Sequence, residues 1–265
     1  MRFSEWLAAG YFAYLLAPIA LSAQTRRVRL GLAAVAVGMI LAIAAVSELP
    51  GRDPWAALRD WAPCLYLLAG YWLPGRLFSA PNHKLERWLL CLDERLFSRV
   101  SPPAGLRHRF SRAYLEFSYL LCYPLVPAAF AIACQLQGDP AIAADRFWRV
   151  ILSAVFVCYG LVPWVPMRPP RALPLGSGDA DGSVRRLNLL VLRHASIQMN
   201  TFPSGHAAAA VASALVVGHL HLGAGLIFGT IALSIAIGSV VGRYHYAADA
   251  LLGALVAATA FAAFG

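Results

Sequence analysis

Charge is what this sequence has least of. Of 265 residues only 13% are charged and 60% are hydrophobic, where soluble domains carry about a quarter charged residues. A soluble globular protein is excluded. So is a basic soluble domain of the kind that binds nucleic acid. The net charge of +9, from 22 basic and 13 acidic residues, is spread over loops between apolar runs, and anionic lipid is the simpler partner. Paired cysteine spacing is missing as well. Cys64, Cys91, Cys122, Cys134 and Cys158 fit neither a zinc site nor a disulfide framework, and four of them lie in apolar runs, where they read as packing residues. No acidic cluster suggests a metal, and no low-complexity linker or internal repeat interrupts the chain.

Long apolar runs are what it does have. Stretches of bilayer-spanning length, roughly 17–25 residues, place spans near Trp6–Ala23, Leu30–Val46, Trp61–Leu77, Ala113–Gln135, Phe147–Val165, Gly205–His221, Leu226–Arg243 and Tyr246–Phe264. The expected fold is an all-α integral membrane protein of about eight transmembrane helices. Residues 1–60 form an N-terminal hairpin, and 61–265 form a six-helix catalytic core. Arg2, the apolar run from Trp6 and the Leu21-Ser22-Ala23 step faintly resemble a signal peptide, but the segment is read as a retained first span. Gly238 and Gly242 have the small-xxx-small spacing that allows close helix contact.

The connection from Phe78 to Arg112 carries Leu85, Trp88, Leu89, Leu92 and Leu96 at helical spacing. Lys84, Glu86, Arg87, Asp93, Glu94 and Arg95 lie between them. This reads as an interfacial amphipathic helix near 83–99, a connector resting in the headgroup plane rather than a flap over a substrate entrance.

Eight spans put the loops at 23–29, 78–112, 166–204 and 243–246 on one side. That side carries Arg26, Arg27, Arg29, Lys84, Arg87, Arg95, Arg99, Arg107, Arg109 and Arg112. The opposite loops mix Arg52, Arg59 and Arg146 with Glu48, Asp53, Asp60, Asp139 and Asp145. By the positive-inside rule the first side is cytoplasmic, and a bacterial cytoplasmic membrane is the expected location.

Three polar stretches share that side. Arg168-Pro169-Pro170-Arg171 holds two guanidiniums on a proline-stiffened backbone, and their planar forks suit phosphate oxygens. On its own it reads as an interfacial anchor. Pro203-Ser204-Gly205-His206 opens an Ala-rich span. A helix start presents free N–H groups, and Gly205 lets an anion approach closely; a plain helix cap competes evenly with that reading. His245 and Asp249 are four apart at the start of the last span, so a carboxylate can fix one imidazole tautomer and leave the other nitrogen free to attack. Co-occurrence of all three on one face points to phosphoryl chemistry. Arg193, His194, Asn200 and Glu116 are candidate headgroup contacts, with surface anchoring or an arginine pair as the plainer role. His219 and His221 fall at the opposite face and read as interfacial.

Together these stretches resemble the signature of the type-2 phosphatidic acid phosphatase superfamily, Lys-x6-Arg-Pro, Pro-Ser-Gly-His and Ser-Arg-x5-His-x3-Asp. The flanks Asn200-Thr201-Phe202 and Arg243-Tyr244 resemble its inositolphosphoryl-ceramide-synthase-like branch. The second motif and His-x3-Asp are intact. The first lysine is replaced by Leu161 and the third-motif arginine by Ser239, with an arginine at 243 instead. The resemblance implies His245 as a nucleophile forming a phosphohistidine, Asp249 as its orienter and His206 as the acid for the leaving group. It also implies Arg168, Ser204 and Gly205 as phosphate ligands, with no metal and no cofactor. Position and charge add Arg171 and Arg243 to the phosphate ligands.

The expected activity is hydrolysis of a lipid phosphate monoester or diphosphate drawn from the bilayer. Two alternatives stand beside it: a phosphotransferase that passes a phospho-headgroup to a lipid or polyol alcohol, and a non-catalytic lipid transporter or scaffold. Neither the substrate lipid nor the oligomeric state is fixed by the residues.

Overall fold

A computed structural model describes residues 1–77, 80–98, 109–173 and 182–265. Arg99 and Arg107, counted above in the charge bias, lie outside the described residues, as do the side chains of Leu96 and Arg109. The described chain is helical, with α1 (Phe3–Leu21), α2 (Arg26–Ser47), α3 (Trp55–Trp61), α4 (Pro63–Gly75), α5 (His83–Ser98), α6 (Arg109–Leu120), α7 (Cys122–Gln137), α8 (Pro140–Gly160), α9 (Ser183–Ala195), α10 (Gly205–Leu220), α11 (Leu222–Val241) and α12 (Ala247–Phe264). Among the described residues the nearest thing to a sheet is one antiparallel bridge between Met167 and Asn200.

Among the described residues four helices, α1, α2, α11 and α12, are individually long and apolar enough to cross a membrane. The count rises to five if α6 and α7 form one span bent by 59°. This is an integral membrane protein. The other segments expected to span differ for physical reasons. Helix α4 has 13 residues, roughly 20 Å at 1.5 Å per residue against a core of about 30 Å. Helix α10 has 16 residues. Helix α8 carries Asp145, Arg146 and Arg149 in its first half. Helices α6 and α7 break because Pro124 lacks the N–H that would bond the Leu120 carbonyl, and its ring crowds that carbonyl.

Helix α10 is the hub, packed on α7, α8, α11 and α12. Its residues Ala207, Ala208, Ala210, Ala212 and Ser213 are buried, and such small side chains let helix backbones close up. At Gly238 a Cβ would lie 2.6 Å from the Leu115 carbonyl oxygen, so α11 runs backbone to backbone against α6. Around the hub, Phe12, Leu15, Phe130, Phe147, Trp148 and Ile151 fill the core between α1, α7 and α8. Tyr11 ties α1 to α4 and α8, with its hydroxyl donating to the Gly70 carbonyl at 2.9 Å and its ring stacked on Phe156 at 3.9 Å.

Helix α5 is not simply a connector lying on lipid. Its Glu86 and Leu89 are buried. Leu89 clusters with Met167 and Tyr246, next to the first and third polar stretches. Helix α9, within a region the sequence leaves as loop, docks on α6 through buried Asn188 and Leu192 and exposes Leu187 and Leu190.

Candidate active site

The three polar stretches meet at one end of the bundle, joined pairwise through main-chain groups. The Arg171 N–H donates to the Arg243 carbonyl at 2.9 Å, the Asn200 N–H to the Met167 carbonyl at 3.0 Å, and the Ser204 N–H to the Asp249 carbonyl at 2.9 Å. Arg243 has φ of 59°, in the left-handed region, where the chain leaves α11, and its guanidinium donates to the Pro170 carbonyl at 3.1 Å. Each stretch is therefore held in place by the other two.

At their meeting point lies a linear relay. Nδ1 of His206 is 3.2 Å from Nε2 of His245, and Nδ1 of His245 is 3.3 Å from Oδ2 of Asp249. The side-chain amide of Asn200 donates to that same Oδ2 at 2.5 Å. Asp249 and Asn200 are fully buried, and His245 is 4% exposed. A carboxylate so placed holds the His245 proton on Nδ1 and leaves the Nε2 lone pair facing His206. With the His245 proton on Nδ1, the 3.2 Å contact assigns Nδ1–H of His206 as the donor to that lone pair at rest.

Tyrosines surround His206. The rings of Tyr119, Tyr71 and Tyr123 lie 5.6, 6.4 and 6.4 Å from it, centroid to centroid. Tyr119 stacks on Tyr244 at 4.1 Å, and the guanidiniums of Arg171 and Arg185 sit over Tyr244 at 5.5 and 4.8 Å, within cation–π reach. Arg185 is also paired with Glu116 at 2.8 Å. Arg171 has no carboxylate partner among the described residues. Burial holds its guanidinium below the ordinary arginine pKa, although the neighbouring tyrosines oppose this. A half-buried cation without a counter-ion beside two histidines is the main anion-attracting feature of the site.

The other expected phosphate ligands are already engaged. Arg168 is clamped by Glu86 of α5, which accepts from Nε at 3.1 Å, from a terminal nitrogen at 2.8 Å and from the Arg168 N–H at 2.8 Å. Burial pushes the Glu86 carboxyl up, but the hydrogen bonds from Arg168 outweigh it and hold the net pKa below the usual range. The start of α10 is internally capped: the Gly205 N–H donates to the Thr201 hydroxyl at 2.9 Å and the Ala207 N–H to the Ser204 hydroxyl at 3.3 Å. Glycine is required at 205 for a packing reason, because a Cβ there would meet the Tyr159 ring.

Of the four candidate headgroup contacts, Asn200 lies beneath Asp249 instead, and Glu116 is committed to Arg185, Asn188 and the Tyr244 hydroxyl. Arg193 and His194 are exposed on α9, with Nδ1 of His194 bonded to the Leu190 carbonyl at 2.9 Å. His221 caps α11 by accepting the Ala224 N–H at 3.1 Å.

The two motif positions that lack a cation are accounted for locally. Leu161 is 36% exposed at the end of α8. Ser239 is buried, and its carbonyl accepts the N–H groups of Tyr244 and His245 at 2.7 and 3.0 Å. Sequence reading missed the tyrosine surround, Arg185, and two carboxylates of α5. One is Glu86. The other is Asp93, whose two oxygens accept the Ala247 N–H at 3.1 and 3.3 Å, two residues beyond His245. Among the described residues no group of three His, Cys, Asp or Glu side chains has the arrangement of a metal site.

A family model described as the PAP2 superfamily matches residues 87–263, a range that contains the relay, Tyr119, Tyr123, Tyr244 and Arg171. No curated protein and no solved structure matches the chain.

Proposed function

The chain belongs to the PAP2 superfamily, and from that membership we propose that it is a membrane lipid phosphatase that cleaves a phosphate monoester or diphosphate through a phosphohistidine at His245. The observation that carries the reading is the relay Asn200–Asp249–His245–His206, with the uncompensated Arg171 guanidinium beside it.

Arg171 attracts the phosphate and its tyrosine shelf keeps the guanidinium in place. The phosphoryl group enters between the two imidazoles, displacing the hydrogen bond they share at rest. The lone pair on Nε2 of His245 attacks phosphorus, and the bond from phosphorus to the leaving oxygen breaks. His206, carried as the imidazolium once the phosphate is bound, passes its Nδ1 proton to that oxygen and becomes neutral. Asp249 keeps the His245 Nδ1–H oriented and stabilises the cationic phospho-imidazole. A water then gives its proton to His206 Nδ1 and attacks phosphorus, releasing phosphate and restoring His245. Arg168 reinforces phosphate binding only when its pair with Glu86 opens. Arg243 shapes the loop through Pro170, and Ser204 and Gly205 set the position of His206.

The wider reading is eight crossings with α5 at the interface: the 1–60 hairpin packs beside the 61–265 core, and the histidine end faces the cytoplasm. It is supported by the charge pattern. Arg26, Arg27 and Arg29 follow the α1–α2 turn, which touches the end of α4 where Gln24 donates to the Arg76 carbonyl. At the other end the cations Arg2 and Arg59 are matched by Asp60 and Glu5.

A second reading, transfer of the phospho-headgroup from His245 to a lipid alcohol, is favoured by the tyrosine rings around His206, which limit free water, and by the branch-like flanks. The deciding experiment is turnover of purified protein against a panel of lipid phosphates, with and without lipid alcohols and chelator. Free phosphate that persists with chelator, together with acid-labile labelled phosphate on the protein, both lost in His245→Ala, is the expected result. A new phospholipid formed only with alcohol present makes the enzyme a transferase. Normal turnover by His245→Ala removes the mechanism.

A further inference from the structure

We propose that a second phosphate-binding site lies at the opposite end of the bundle, where it holds the headgroup of an anionic lipid from the leaflet away from the histidines. A cleft of about 500 Å³ opens where α1 and α8 begin and α7 and α12 end. Helix α12 runs from the turn that carries His245 at one end to this cleft at the other, so the two sites lie at opposite membrane surfaces. Among the lining side chains are Arg2, Gln137, Ile142, Asp145, Arg146 and Arg149.

The side-chain charges in the cleft do not balance. Arg2 is paired with Asp60 at 2.5 Å. Asp145 is committed to α1, accepting the Ser4 N–H at 3.0 Å and its hydroxyl at 2.8 Å. Arg146 and Arg149 form no ion pair with any described residue. Nε of Arg149 is fully buried and has no hydrogen-bond partner among the described residues. A buried guanidinium N–H with no acceptor is costly, and a bound anion is a standard resolution.

Two guanidiniums three residues apart on one helix match the oxygens of a phosphate. A lipid is the fitting source because Ile142 in the cleft is 58% exposed, and Phe3 and Trp6 on the first turns of α1 are 44% and 64% exposed. These present apolar surface and an interfacial aromatic beside the cleft. The inference does not rest on the chemistry at His245.

Lipid retention tests it. Protein carrying Arg171→Gln, which silences the cation at the histidine end, is purified with phosphatidylglycerol or phosphatidylcholine of matched chains. Bound lipid is then counted by native mass spectrometry. The expected result is preferential retention of phosphatidylglycerol, reduced about tenfold or more by Arg146→Gln with Arg149→Gln, the loss of charge-assisted hydrogen bonds. Phosphatidylcholine retention should not change. Arg146→Gln alone, which leaves Arg149 and its buried Nε in place, should give a smaller reduction and covers the case in which the double variant misfolds. In an otherwise unaltered chain the double variant should keep its turnover. Equal retention with and without the two arginines, or equal retention of both lipids, overturns the proposal. Displacement of phosphatidylglycerol by millimolar inorganic phosphate overturns the lipid assignment.

Discussion

Replacing Gly205 by alanine puts a methyl carbon less than 3.0 Å from Cε1 of Tyr159 and 3.2 Å from its Cδ1 and Cζ. Carbon atoms rest about 3.5–4.0 Å apart. Tyr159 has little room to yield, being 6% exposed with its ring 5.3 Å from that of Tyr71. Overpacking of this kind costs about 1–3 kcal/mol in stability. The effect on catalysis should be larger, because the next residue is His206, whose Nδ1 sits 3.2 Å from His245. A displacement near 1 Å in a reacting group costs about a hundredfold in rate. Gly205→Ala is therefore expected to lower kcat about a hundredfold with a modest fall in the unfolding midpoint. Adding Tyr159→Leu, which removes the atoms in the clash, should recover at least about tenfold of that rate. The assay is phosphate release from a lipid phosphate in micelles, with kcat and KM resolved for wild type, both single variants and the double variant. If Gly205 serves instead to let an anion reach the backbone, the new methyl blocks it whatever occupies position 159. A double variant as slow as Gly205→Ala, with KM raised, would refute the packing argument.

Asp249→Asn keeps the shape of the relay but offers Nδ1 of His245 a donor or a weaker acceptor; by analogy with other carboxylate–histidine pairs, kcat should fall about ten-thousandfold, and an active variant would show that the carboxylate does not orient the nucleophile. Asn200→Leu removes the amide that fixes Oδ2 of Asp249, so kcat should fall about 10–100-fold with KM unchanged in the same assay. Glu86→Gln should lower the unfolding midpoint, corresponding to about 1–3 kcal/mol, and lower KM as the loosened Arg168 is freed toward the phosphate; an unchanged KM would mean that Arg168 takes no part in binding. Asp93 is pushed up from 3.8 to about 6, chiefly by burial. A carboxyl raised in the folded state adds most to stability below its unfolded pKa and loses that contribution as pH rises through 6. Asp93→Asn, which keeps an acceptor for the Ala247 N–H, should gain stability relative to wild type between pH 4 and 7, and a midpoint difference that is flat with pH would count against this.

The relay was legible in the sequence because it is polar in a chain that is otherwise apolar. The i, i+4 spacing brings His245 to Asp249, although His245 sits in the turn before α12 rather than on the helix itself, and Ser204 does cap α10. The limits of α1, α2, α11 and α12 follow the apolar runs to within a few residues. What escaped reading depends on distant pairs. Nothing local says that Asn200 donates to Asp249, 49 positions away, or that Glu86 reaches Arg168, 82 positions away. Tyr71, Tyr119 and Tyr123 sit in apolar segments where a tyrosine reads as packing. Two signals were available and unused. Pro124 marks the α6–α7 break, and Leu187 with Leu190 and Val191 against Arg185 and Arg186 has the spacing of α9. Gly205 was explained by anion approach because its partner, Tyr159, lies on another helix and is silent in sequence.

Helix α12 carries Asp249, and the turn that leads into it carries His245, the proposed nucleophile; the helix docks on α10 and α8, which are made earlier. During synthesis, therefore, no nascent chain that stops short of Asp249 holds the two histidines, the carboxylate and the amide at once. On the proposed mechanism the protein passes through the insertion machinery chemically inert and becomes reactive only when its last apolar segment seats against the helices already in place. Turnover is thus a readout of completed assembly, and a lesion anywhere along the α10–α12 seam will look, in a cell, like a loss of activity rather than a loss of protein.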